Sequence, residues 1–174
     1  MKLFNKILAF STATLWLASF AFADVEIGGA APTFKLKDAQ DKERSLSEFK
    51  GKYVVLEWYN KDCPFVKKHY ESGNMTSLQE KYKAKGIVWL SIISSADGKQ
   101  GFCSAEETAQ LATEKKNLAS AILRDADGSV GRLYGAKTTP HMFIIDPKGV
   151  VQYNGAIDDK ATAKQEDIQS AINY

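Results

Sequence analysis

A chain of 174 residues with 44% apolar side chains is long enough to bury one self-sufficient core. Its 23 basic and 21 acidic residues nearly cancel, which argues against nucleic acid or an anionic membrane surface as partner. Two cysteines, Cys63 and Cys103, are too few for a disulfide-built scaffold. The pair reads more as redox chemistry than as a staple.

The first stretch has the make-up of a signal peptide. Lys2 and Lys6 give a basic start, residues 7–17 are an apolar run, and Ala21-Phe22-Ala23 is the small-x-small pattern at which such peptides are cut. Ser11, Thr12 and Thr14 interrupt a run already short for a bilayer, so a retained anchor fits less well. Cleavage after residue 23 leaves one domain, 24–174, with 21 basic and 21 acidic residues. The expected location is periplasmic or secreted, with no stable membrane association after cleavage and with oxidising surroundings for both thiols.

Gly28-Gly29-Ala30-Ala31-Pro32 is a flexible entry, and Phe34-Lys35-Leu36-Lys37 alternates like a half-buried strand. Residues 38–44 read as a charged turn. Ser45 with Glu48 three residues on, closed by Gly51, predicts a short capped helical turn. Residues 53–59 are nearly continuous in β-branched and aromatic side chains, which suits a parallel strand covered on both faces. Glu57 is the exception: either it is exposed at an edge, or it is kept buried for proton handling, with its pKa raised by burial.

Trp58-Tyr59-Asn60-Lys61-Asp62-Cys63-Pro64 then hands a cysteine to the start of a helix, since proline suits the first helical position. Free N–H groups and the aligned peptide dipoles there stabilise a thiolate, the reactive form of the sulfur. Lys61, Lys67 and Lys68 push the same way, and Asp62 opposes them. The bland reading is a small buried hydrophobe that precedes a proline.

The spacing predicts a helix over 64–71, a break at Ser72-Gly73-Asn74, and a restart capped by Ser77 with Glu80. Phe65, Tyr70, Leu78 and Tyr82 would form its apolar stripe. Gly86 ends it, and residues 87–93 form the second central strand, completing a right-handed βαβ unit. Loops beyond the carboxyl ends of parallel strands share one edge, where ligands collect. Cys63 and Cys103 both fall on loops at that edge.

Ser104 with Glu107 caps a helix expected to reach residue 117, and residues 121–124 form a short strand. Asp127-Gly128 is a turn, and a helical turn over 130–134 is closed by Gly135. Thr139-Pro140 sits at the lip of the strand 142–145, where an X-Pro bond can be cis at low cost. Asp146-Pro147-Lys148-Gly149 turns that strand into 150–153, so the sheet finishes antiparallel. Ile168, Ala171 and Ile172 have helical spacing.

Ala31-Pro32-x-Phe34-x-Leu36-x-Asp38, Gly51-Lys52, Glu57-Trp58, Cys63-Pro64, Thr139-Pro140 and Phe143-Ile144-Ile145-Asp146-Pro147-Lys148-Gly149 occur here in fixed order and spacing. Together they resemble the redoxin branch (AhpC/TSA, peroxiredoxin and TlpA-like proteins) of the thioredoxin fold. The resemblance implies an α/β fold: a central mixed sheet with a parallel βαβ unit, a C-terminal antiparallel hairpin, and helices on both faces. It implies a thiol-dependent oxidoreductase without cofactor, acting on a peroxide or a protein disulfide and recharged by a thiol electron donor. Cys63 would be the attacking cysteine, Thr139-Pro140 a cis-proline turn lying against it, and Glu57 a buried acid relaying protons.

Three departures from the family pattern bear on mechanism. Val66 stands where thioredoxin-like reductases carry a second cysteine, so the resolving partner would be Cys103, a small thiol or another protein. Asn60 stands where peroxiredoxins have threonine, and near their arginine there is only His141. Two other readings remain: a copper carrier using Cys63, Cys103 and His69 or His141, although His69 falls on another helix face than Cys63, and a redox-silent interaction module.

Overall fold

The structure is a computed structural model and describes residues 25–114 and 116–159. The expected signal segment and the helical spacing of Ile168, Ala171 and Ile172 lie outside the described residues.

Alternation at the start becomes β1 (Lys35–Asp38), whose burial alternates with the pleat. The stretch read as a charged turn is partly a strand, β2 (Glu43–Ser45), paired antiparallel with β1. Asp38 causes the difference, since its Oδ1 accepts the Gln40 and Lys42 N–H groups and tightens the turn into a hairpin. Ser45 then caps a 3-10 turn at Leu46–Phe49, with both halves of the box to Glu48 formed.

β3 (Val54–Trp58) follows and leads to α1 (Pro64–Glu71), which has the bounds its sequence predicts. The second helix departs from expectation. Gly73 at φ +76° turns the chain left-handed, so α2 (Asn74–Lys83) begins at once and Ser77 sits inside it, donating its N–H to the Gly73 carbonyl. The predicted stripe shifts too: Phe65 is exposed, while Val66, Met75 and Gln79 point inward.

β4 (Val88–Ile93) is buried along its whole length. α3 (Ala105–Thr113) has the Ser104–Glu107 box but stops before Asn117, whose side chain is drawn into the core. β5 (Ala121–Arg124), α4 (Ser129–Tyr134), β6 (His141–Ile145) and β7 (Val151–Gly155) complete the order.

The strands form one mixed sheet, β2-β1-β5-β4-β3-β6-β7. β3 runs parallel to β4, and β4 to β5; β6 and β7 return antiparallel, as the redoxin resemblance implies. Alternate residues of β3 supply two cores. Val54, Leu56 and Trp58 join Leu90, Ile92, Leu123, Phe143 and Tyr134 on one face, under α4. Val55 joins Met75, Trp89 and Met142 on the other, under α2. Helices therefore cover both faces, and each large apolar side chain withdrawn from water contributes about 1.5–3 kcal/mol. No helix among the described residues is long and apolar enough to cross a membrane.

Candidate active site

Cys63 is the N-cap of α1, in extended conformation at φ −71° and ψ 125°, with Pro64 at the first helical position. Its sulfur therefore lies at the positive end of the helix. Register between β3 and β6 sets Trp58 opposite His141, which brings the turn preceding β6 beside the loop following β3. There the Thr139-Pro140 bond is cis, and the Cys63 thiol donates to the Thr139 carbonyl at 3.1 Å. The thiol is half-buried, whereas Pro64 and Phe65 beside it are exposed.

Two depressions meet at this turn. One is lined by Phe65, His69, Pro140, Ile157 and Asp158, the other by Asn60, Ser94 and Lys137, and Thr138 and Thr139 belong to both. The first has mostly apolar walls, and the second is polar.

Cys103 is almost fully buried, one residue before the cap of α3. It belongs to a cluster with Tyr59, Val66, Ile93 and Ile122, against which Cys63 and Tyr70 also pack. The topology thus brings both free thiols to one apolar cluster across forty residues of sequence. Burial pushes the Cys103 thiol up to about 11; Lys61 acts against this, and Glu107 and Asp62 add to it.

Asn60 is placed at the lip, but its Oδ1 is engaged in accepting the Asp62 N–H at 2.9 Å. Glu57, left between two readings by the sequence, is fully buried. Four side chains donate to it: the Tyr70 hydroxyl at 2.7 Å, Trp89 Nε1 at 2.8 Å, Ser91 Oγ at 3.0 Å and Gln79 Nε2 at 3.2 Å. Burial drives its carboxyl pKa upward, and these hydrogen bonds oppose the rise without cancelling it. Asn117 extends the network through Ser91 and Gln79. Sequence reasoning missed these partners. The available signals were Ser91, a polar residue inside an apolar run and the register partner of Glu57, and Tyr70, one helical turn after the buried Val66.

The sequence expectation for Lys68 needs correction, and the two histidines can be placed. Lys68 is buried and ion-paired with Asp158 at 2.9 Å, so its charge is engaged there. His69 is also buried, between Asp158 at 3.4 Å and Asn74 at 3.0 Å, and burial lowers its pKa. In His141, Nδ1 accepts the Lys137 N–H and Nε2 then donates to Asn154, a neutral tautomer with both ring nitrogens engaged. Among the described residues, no group of three or more His, Cys, Asp or Glu side chains is placed to hold a metal ion.

The chain is 30% identical over 130 residues to the thiol-disulfide oxidoreductase ResA of Bacillus thuringiensis subsp. konkukian, a match covering 73% of this chain and 68% of that protein. It is 33% identical over 139 residues to the chloroplastic peroxiredoxin Q of Triticum aestivum, covering 74% of this chain and 58% of that one. The thioredoxin domain of a thiol-disulfide oxidoreductase from Bacteroides vulgatus shares the fold, with a TM-score of 0.60 at 21% identity, over 86% of this chain and 100% of that one. Residues 27–154, nearly all of the described chain, match the model of the AhpC/TSA family, and the chain belongs to that family.

Proposed function

We propose that this thiol-dependent oxidoreductase is exported and attacks its substrate through Cys63, with Cys103 as the resolving thiol. The observation that carries this reading is the placement of the Cys63 sulfur at the head of α1, against the carbonyl that precedes cis-Pro140 and beside an exposed lip. Export rests on Lys2, Lys6, the apolar run and Ala21-Phe22-Ala23.

With a peroxide, the Cys63 thiolate attacks one oxygen and breaks the O–O bond; the sulfur becomes a sulfenic acid, and the other oxygen leaves as an alcohol or water after taking a proton. With a protein disulfide, the same thiolate displaces one sulfur and forms a mixed disulfide. The Cys103 thiol then attacks the Cys63 sulfur. That step forms the intramolecular disulfide and releases water or the reduced substrate thiol. A thiol donor supplies the two electrons that restore both cysteines. Glu57, whose carboxyl pKa is raised by burial, is the acid that relays protons in this reading, and Tyr70 joins it to the cluster where the cysteines pack.

Intact-mass spectrometry after one equivalent of hydrogen peroxide tests the assignment. Wild type should lose two hydrogen atoms as the disulfide forms, Cys63→Ser should stay reduced, and Cys103→Ser should stop at an oxygen adduct or mixed disulfide on Cys63. Unchanged turnover in Cys103→Ser would remove Cys103 as resolver. No oxidation of Cys63 by either substrate class would favour a redox-silent interaction module.

A further inference from the structure

We propose that Asp62 is a positioning residue that clamps the Cys103 loop to the Cys63 loop and so sets how fast Cys103 captures oxidised Cys63. This rests on the reading of Cys63 as attacking thiol and Cys103 as resolver.

Asp62 immediately precedes Cys63, and its Oδ2 accepts the backbone N–H of Gly101 at 3.0 Å. Its own carbonyl accepts the Gln100 side chain at 3.4 Å. Gly101 stands two residues before Cys103, so the clamp links the two cysteines by a short path: Cys63, Asp62, Gly101, Phe102, Cys103. A side chain at Gly101 would break this contact for two reasons. The residue has φ +81°, and a Cβ there would lie 2.3 Å from the Asn60 Oδ1. Asn60 in turn accepts the Asp62 N–H through its Oδ1, so Asn60 and Asp62 of the Cys63 loop both lie against one glycine.

The rest of the loop supplies little that could replace the clamp. Residues 96–100 are exposed, and the backbone bonds from Lys99 to Ala96 and from Phe102 to Lys99 are turns within the loop itself. They shape the loop without tying it to the head of α1.

The clamp acts on a defined competition. Once a peroxide has converted Cys63 to its sulfenic acid, attack by the Cys103 thiol forms the S–S bond, and the hydroxyl leaves as water with the Cys103 proton. Against this runs a second peroxide molecule, which oxidises the sulfenic acid to sulfinic acid and is itself reduced. Holding Cys103 close raises its effective concentration and favours the first branch.

The test measures the ratio of intramolecular disulfide to Cys63 sulfinic acid by mass spectrometry over a hydrogen peroxide titration. Asp62→Ala should shift that ratio toward sulfinic acid by about tenfold, the scale of one lost hydrogen bond to a charged group. Asp62→Asn should stay within about twofold of wild type, because its amide oxygen still accepts the Gly101 N–H although the charge is gone in both variants. Gly101→Ala, with Asp62 intact and folding checked by circular dichroism, should resemble Asp62→Ala. An unchanged or faster resolution in Asp62→Ala overturns the clamp, as does an equal shift in Asp62→Asn. Dimedone labelling of Cys63 in Cys103→Ser separates this from the underlying reading: with no label, the attacking role itself fails and the clamp falls with it.

Discussion

Two thiols of one chain lie in contrasting environments, which gives them different expected chemistry. Cys63 meets water at the head of a helix, whereas Cys103 is enclosed by Tyr59, Val66, Ile93 and Ile122. Because burial raises the Cys103 thiol from its ordinary 9.0 to about 11, the folded state holds this proton more tightly than the unfolded chain does. Its stabilising contribution is therefore complete below about pH 9 and is lost as pH climbs toward 11. Urea midpoints should fall over that window in wild type and fall less in Cys103→Ser. Glu57 has the same sign at a lower window, since its raised carboxyl pKa means that stability declines as pH rises past the ordinary 4.5. Glu57→Gln keeps an oxygen for the Trp89 and Ser91 donors and should flatten that decline in thermal unfolding followed from acid to neutral pH.

Helix starts show how far a short pattern can be trusted. Serine followed by glutamate three residues later occurs at Ser45, Ser77 and Ser104. At Ser45 and Ser104 both hydrogen bonds of the box form. At Ser77 neither is available for capping, because left-handed Gly73 has already turned the chain and the Ser77 N–H is bonded to its carbonyl. One residue's backbone freedom overrides the cap preference. Where the cap is real it should be measurable: Ser104→Ala removes the acceptor of the Glu107 N–H at 3.1 Å and should cost about 1 kcal/mol in urea denaturation. The corresponding change at Ser77 should cost less.

The sheet is the device that assembles the site from distant parts. β3 delivers Cys63, its parallel neighbour β4 leads to Cys103, and antiparallel β6 delivers the cis-proline turn. Phe143 at the centre of β6 is fully buried against Trp58 and Tyr134, with the His141 ring 4.7 Å from its own. Phe143→Ala should cost about 3–5 kcal/mol by urea denaturation. It should also speed iodoacetamide labelling of Cys63, because the strand that seats Thr139 against the thiol loses its anchor.

Sequence alone determined the α/β order, the bounds of α1, the proline that sets Cys63 at a helix start, and the edge of the sheet where both cysteines emerge. Each of these follows from local rules of periodicity, capping and strand connection. Tertiary structure decided the burial of Glu57, the inward turn of Lys68 and His69 toward Asp158, the enclosure of Cys103 and the grip of Asp62 on Gly101. Those outcomes depend on which elements pack together. Lys68 and Asp158 are ninety residues apart, and no local pattern links positions that meet only when α1 is laid against the end of β7.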